Sequence, residues 1–540
     1  MKARHILSLA LLLAGTAAAF GQNLNPTVEV TNAYQREAGG IEKPVLLLPV
    51  PDSLLQFRLD FDYSVRTTPY QGSYEFQPYQ VQLRPMTQPD GQKTFYLKVG
   101  AGYPFHPELT TVWTPVRKDH FRLNVFADHH SYWGWYQGMD RLEDKTITYP
   151  DNQTVMSGCS SHTAAGVNTL FDWTGGLLTA DVRYRNTIGA DAWDENVYHG
   201  IGANLSARSA PSQTFQWEVT EKVDWLFSQV MRETHTQTHM GAGGRFGGHY
   251  LMLGLDAETV GRPDLFAGLF ALTPRYIMTL GALRMDLGVK LSYLFHTQDD
   301  FYSAKSDFIF PDVHVSYGVI PDKLVLQGAA TGGDRMHVYS DWLETNPWMS
   351  SVLGVMDNSV ERFNLMAGLR GQLWGHFHYD LRAGYAFWKN ALLWGVEKYP
   401  VPNLFRSEIG YRDYHLLYAK ADLGWTSEYL DADLAFGYNR TDLDEDRLFA
   451  PAAFEGRFKA LYNWGGRIWA GVNTEFATER VAKEAVLPGY VDLGLYGEYR
   501  ITRSFGPWLR VGNMLGQTIQ RVPFHAEKGV YFTLGIRWNF

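Results

Sequence analysis

The C-terminal stretch constrains the fold of this chain more than any other segment. From Val530 to Phe540, Val530, Phe532, Leu534, Ile536, Trp538 and Phe540 alternate with Tyr531, Thr533, Gly535, Arg537 and Asn539. Successive side chains of a strand point to opposite faces, so this is a strand that is apolar on one side only. Its length matches the roughly 9–11 residues that cross a bilayer at a tilt.

The same period recurs along most of the chain. Leu283 to Tyr293 sets Met285, Leu287, Val289 and Leu291 against Arg284, Asp286, Gly288 and Lys290. Phe377 to Tyr385 and Leu430 to Tyr438 repeat it with Asp380, Arg382, Asp431 and Asp433 on the polar side. The strand boundaries around 234–281 and 400–427 are not fixed by the pattern. Alternation is produced either by a soluble sandwich, which buries the apolar face in protein, or by a membrane barrel, which turns it to lipid. Three features favour the barrel. The polar face carries charges of both signs beside glycines. Aromatic residues (Tyr103, Tyr184, Tyr293, Tyr438, Tyr499, Trp538) close the ends of the apolar rows, as interfacial girdles do. No helical interlude breaks the run of strands. The reading is all-β: a large transmembrane antiparallel barrel over 94–540, about 22 strands at about 20 residues per strand and connection.

Composition supports an exported envelope protein. Aromatic residues make up 15% of the chain and charged residues only 19%, an unusual pairing for a soluble enzyme. The net charge is −9, and −11 without Lys2 and Arg4, which argues against nucleic acid as a partner because phosphate binding needs basic surface. The single cysteine, Cys159, excludes an internal disulfide framework and a multi-cysteine zinc site. Residues 1–21 read as a signal peptide: Lys2 and Arg4, an apolar run from Ile6 to Ala14, then Ala19-Phe20-Gly21 before Gln22. Residues 22–93 form a short proline-rich N-terminal segment, periplasmic or lumen-occupying, in which proline disfavours central strands.

Turn signals separate short links (Trp173-Thr174-Gly175-Gly176, Pro321-Asp322-Lys323) from long polar loops near 137–160, 296–306, 337–360 and 441–452. The loop at 337–360 carries Tyr339, Trp342 and Trp348, read first as packing on neighbouring loops or the lipid surface and second as a ligand or partner contact. The candidate functional surface is the polar lumen face: Lys98, Arg183, Arg185, Arg284, Asp286, Lys290, Arg362, Arg370, Asp380, Arg382, Lys420, Asp422, Asp431, Asp433, Glu498, Arg500 and Arg537. Two outcomes are open. These charges either line water and act on a passing solute, or pair with one another or with the N-terminal segment and close the lumen. No catalytic set, metal site or cofactor motif is read. His235 and His239 lie four apart on a strand, about 13 Å, too far to share a metal ion. Ser160-Ser161-His162 lacks the orienting geometry of a hydrolase.

The stretch Leu509-Arg510-Val511-Gly512-Asn513-Met514-Leu515-Gly516, followed by Gly529 to Phe540, resembles the end of a TonB-dependent receptor barrel. Phe95–Pro104 and Thr331–Trp348 resemble Bacteroidota barrels of that kind that have no plug. The resemblance implies an outer-membrane location, lipid and lipopolysaccharide around the barrel, and a C-terminal signal (Trp538, Phe540) read by the barrel assembly machinery. Thr27-Val28-Glu29-Val30-Thr31 looks like a TonB box, implying a TonB-like partner, with an edge strand as the plainer reading. The segment before the barrel is shorter than a plug domain. Function is therefore read as solute transport across the outer membrane, or else as a non-transporting structural or assembly subunit that docks other envelope proteins.

Overall fold

The computed structural model describes residues 94–540 apart from loop stretches 149–155, 191–194, 211–212, 298–306, 348–356 and 399–404 and positions 137, 230, 248, 264 and 446. The expectations for the signal peptide, for 22–93 and for Thr27–Thr31 lie outside the described residues.

The strands follow one another in one 22-stranded sheet. In chain order they are β1 (Phe95–Tyr103), β2 (Glu108–Lys118), β3 (Phe121–Tyr136), β4 (Met156–Trp173), β5 (Gly176–Ala190), β6 (Glu195–Ser209), β7 (Phe215–Phe227), β8 (Arg232–Phe246), β9 (His249–Gly261), β10 (Phe266–Leu280) and β11 (Leu283–His296). The second half comprises β12 (Ile309–Ile320), β13 (Leu324–Arg335), β14 (Ser359–Leu373), β15 (Phe377–Lys398), β16 (Phe405–Thr426), β17 (Leu430–Thr441), β18 (Phe454–Trp464), β19 (Ile468–Ala477), β20 (Tyr490–Tyr499), β21 (Phe505–Gly512) and β22 (Tyr531–Asn539). Every neighbouring pair is antiparallel, and β1 pairs with β22 from Tyr96↔Asn539 to Tyr103↔Phe532. The sheet therefore closes and leaves no edge, the condition for a sheet to live in hydrocarbon.

Connections alternate as the turn residues predict. Tight turns such as 174–175, 281–282 and 321–323 stand at the end that holds Phe95 and Phe540. The longer connections, which follow β3, β11, β13, β17, β19 and β21, leave the strands at the other end. Asp322 (φ 58°) and the pair Trp374-Gly375 (φ 56° and 71°) take left-handed backbone in these turns.

Burial follows the alternation. Leu534 on β22 is 59% exposed and its neighbour Thr533 is 0% exposed. Aliphatic residues such as Val182, Leu205, Leu253, Leu365 and Leu417 stand exposed along the middle of the outer wall. Aromatic residues crowd its ends: Trp374, Trp464 and Phe540 at the turn end, Tyr103, Trp133, Trp135 and Tyr293 at the loop end. This is the lipid-facing band with two girdles. Inside, Gly100 and Gly535 give room to the Trp508 indole, which a Cβ at either position would strike (2.5 and 2.4 Å).

Candidate functional site

The lumen wall is built by the polar rows of the strands. Side chains on one face of adjacent strands stand about 5 Å apart, close enough to pair, whereas the opposite wall is far beyond reach. The charges accordingly pair sideways. Arg185 donates to Asp224 at 2.7 Å, and Arg183 stands 3.9 Å from the same carboxylate. Arg382 bridges Asp422 (2.5 Å) and Asp380 (3.2 Å), and Gln327 donates to Asp380 at 3.0 Å. Lys420 is the register partner of Arg382 and lies 5.8 Å from the Tyr418 ring. Glu498 accepts from Arg537 (2.9 Å), Arg500 (3.0 Å) and the Tyr496 hydroxyl (2.8 Å). The Arg500 guanidinium stacks 3.3 Å from the centre of the Trp469 ring. Lys98 places its ammonium over Trp508 at 4.3 Å and Tyr496 at 5.1 Å, a cation–π contact that offsets part of its burial. Arg284, Asp286 and Arg370 line one niche with His314 and Gln327. Lys290 lines the next, with His239, Asp256, Arg275 and Asp312. Asp433 stands 4.0 Å from His378, and Asp431 follows on the same row of β17.

Arg362 departs from its expected place. The register of β14 against β15 slips between Glu361 and Phe363, so Arg362 is the extra residue of a β-bulge. Its guanidinium turns to the outer wall, 5.9 Å from the Phe387 ring, and pairs with Asp307 at 2.7 Å. Glu361 takes the inward position and is 4% exposed. Alternation in the sequence carries no sign of this slip.

Further residues belong to the same wall, among them His235 and His239, which the sequence marks as polar but too far apart to share a metal ion. Arg275 pairs with Asp312 at 2.6 Å, His239 with Asp256 at 2.6 Å and His235 with Glu258 at 2.7 Å. Arg510 bonds Glu108, joining β21 to β2 across β22 and β1. His235 and His239 thus each meet a carboxylate on β9, and no group of three metal-ligating side chains occurs among the described residues. Ser161 is buried in the wall and His162 reaches the Thr187 hydroxyl at 3.4 Å. Removing the shared cation at Asp380 and Asp422, which face each other in register, leaves two carboxylates side by side, with Gln327 and the register neighbour Arg370 compensating Asp380 only in part. Arg382→Ala should therefore cost about 2 kcal/mol, seen as a lower melting temperature of the folded barrel in detergent.

Above this wall, the loops share one hydrophobic core. Helix α1 (Tyr339–Thr345) contributes Tyr339, Trp342 and Leu343. The other loops add Ile147, Phe449, Ala482, Ala485, Leu487 and Val522. These pack on Tyr198 and Leu226 of β6 and β7 and on Leu392, Trp394 and Val396 of β15, on the far side of the ring. The Trp342 and Trp394 rings meet edge to face at 5.2 Å. Polar contacts tie the loops down. The backbone N–H groups of Tyr339 and Ser340 donate to the buried Glu233 carboxylate on β8, which Arg262 also holds at 2.6 Å. Arg521 pairs with Glu475 (3.1 Å), Asp492 (3.4 Å) and Glu527. Gln520 donates to the Ile147 carbonyl at 2.9 Å, and Thr146 bridges Val486. Tyr339 and Trp342 therefore pack on neighbouring loops and not on the lipid surface, whereas Trp348 lies outside the described residues.

His337 anchors the 336–358 loop through a 2.6 Å hydrogen bond to Ser359. Burial, with Arg335 adding to it, pushes this imidazole down to about 3, so the folded state holds it neutral. Its unfolded value is about 6.5, so the anchor is fully present above that pH and is lost as pH falls toward 3. Protease cleavage within 336–358 should accelerate over that window, and His337→Gln should flatten the dependence.

No protein-family model and no curated protein matches the sequence. Solved structures do. The copper transporter OprC aligns at 11% identity with a TM-score of 0.59, over 83% of this chain and 80% of that one. The siderophore receptor PirA from Acinetobacter baumannii aligns at 9% identity and TM-score 0.58, over the same 83% and 80%. The FrpB iron transporter from Neisseria meningitidis aligns at 10% identity and TM-score 0.60, over 84% and 81%. At such identities the likeness is one of fold: residues 94–540 form a closed 22-stranded antiparallel barrel similar to the barrels of this copper transporter, siderophore receptor and iron transporter.

Proposed function

We propose that this chain moves solutes across the outer membrane of a Gram-negative bacterium, as a barrel of the plug-less Bacteroidota type. The observation that carries the reading is the sideways pairing of the lumen charges. Arg185–Asp224, Arg382–Asp380–Asp422 and Arg537–Glu498–Arg500 pair with one another within the wall. A wall paired in this way presents dipoles and partial charge to water instead of closing the lumen from side to side. In this reading Thr27–Thr31 pairs with a TonB-like protein, the assembly machinery recognises Trp538 and Phe540, and lipid and lipopolysaccharide surround the outer wall. The chemistry involves no cofactor and no turnover.

The shared core of the loops favours a second reading, a structural or assembly subunit whose mouth is a platform for other envelope proteins. Planar-bilayer recording separates the two. Transport predicts ion conductance that rises when the loops are released by Arg521→Ala. A folded barrel that stays silent with its loops released, and that cross-links to other envelope proteins in mild detergent, would favour the platform.

A further inference from the structure

One outward row breaks the apolar rule at the middle of the wall. Along β7 it runs from Phe215 and Trp217 through Val219 to Glu221, then through Val223 to Trp225 and Phe227. Phe215 and Trp225 are about half exposed, which fixes this parity as outward. The carboxylate therefore sits midway between two aromatic girdles, where hydrocarbon is deepest. Among the described residues, no other outward row carries Asp, Glu, Lys or Arg at mid-wall.

The neighbouring strand continues the anomaly. Thr234, Thr236 and Thr238 take the outward positions of β8, and Thr238 is the register partner of Glu221. The Thr238 hydroxyl donates to Glu221 Oε2 at 2.5 Å, and the Thr236 and Thr259 hydroxyls lie 2.5 Å apart. Glu221 Oε1 makes no hydrogen bond among the described residues. Lipid tails offer such a group nothing, so a carboxylate here is costly unless polar protein covers it.

We propose that this stripe is an interface inside the bilayer with a second copy of this chain. The patch is self-complementary: an acceptor with one open oxygen on β7 stands level with a column of hydroxyl donors on β8. A two-fold axis along the membrane normal preserves height, so it sets Glu221 of each copy against the threonines of the other. The small neighbours Ala203 and Ala257, register partners of Val223 and Thr238, let the two walls approach closely. The inference rests on lipid facing the outer wall and is independent of transport.

The test is disulfide cross-linking of the full chain in native outer membranes, in a Cys159→Ser background. Thr236→Cys should yield a covalent product of twice the chain mass, at least five-fold more than Leu381→Cys on the distant β15. Adding Glu221→Leu should reduce that product several-fold while heat-modifiable mobility shows the barrel still folded. Yield no higher than the Leu381 control, a product of any other mass, or a yield indifferent to Glu221→Leu would each overturn the proposal. Loss of folded barrel in every variant points instead to the membrane reading itself, and the folded Leu381→Cys protein separates that case.

Discussion

Replacing Arg521 with alanine is expected to free the 513–530 loop and to lower the stability of the loop end by about 3 kcal/mol. The side chain is 7% exposed and is the shared cation for Glu475, Asp492 and Glu527. Removing one member of a buried ionic group leaves the others desolvated and mutually repelling, which costs far more than the net worth of the pairs. The effect should spread, because Gln520 of the same loop holds the Ile147 carbonyl and Gly138 bridges His525. Hydrogen exchange should rise in both 513–530 and 138–148. Arg521→Lys should be intermediate, since one ammonium replaces the Nε and Nη contacts that now span two strands and the loop itself.

Trp342→Ala is the second large effect. Trp342 is 6% exposed, packs edge to face on Trp394 and lies near His337 at 6.3 Å between ring centres. Truncating a buried tryptophan removes its burial and leaves a cavity, at a cost of about 3–5 kcal/mol. Short helix α1 has seven residues and no N-cap side chain of its own, so its polar hold is the Glu233 carboxylate beyond its N-terminus. The expected result is selective loss of protection in 336–346, with exchange of β1 and β22 backbone amides unchanged. A cap that stayed protected would mean that its polar anchors at Glu233 and His337 suffice alone.

The barrel was legible because period-two alternation is enforced at every strand by two different solvents. β22 and β11 show this directly, one face uniformly apolar and the other charged, polar or small except at Leu294 near the loop end. Alternation failed where both faces are polar. Along β8, Thr234, Thr236 and Thr238 look outward while His235, Gln237 and His239 look inward, so no contrast marks the strand. It failed again on β10, where the inward Leu269 and Ala271 are buried, Leu269 packing with Val338 of the 336–358 loop, and the row reads apolar on both sides.

The charged wall was half legible. Parity placed Arg382 and Asp422 on the polar face, but their pairing depends on strand register, which no single segment encodes. Arg362 shows the sharper limit, since a one-residue bulge reverses facing without altering composition. The loop core left still less trace. Ile147, Phe449, Ala485 and Val522 come from four irregular stretches, and only tertiary structure brings them together.

Lipid contact of the apolar row is the central claim, and fluorescence quenching along β5 tests it most directly. Single cysteines at Ala180, Val182 and Tyr184, or at Asp181 and Arg183, would be labelled in a Cys159→Ser barrel reconstituted in bilayers. Val182 is 55% exposed on one face and Arg183 is 43% exposed on the other, so both faces accept a label. The prediction is strict alternation: a lipid-borne quencher reaches 180, 182 and 184, and an aqueous quencher reaches 181 and 183. Equal shielding of 180, 182 and 184 from both quenchers would mean that protein covers that row, and would contradict the account.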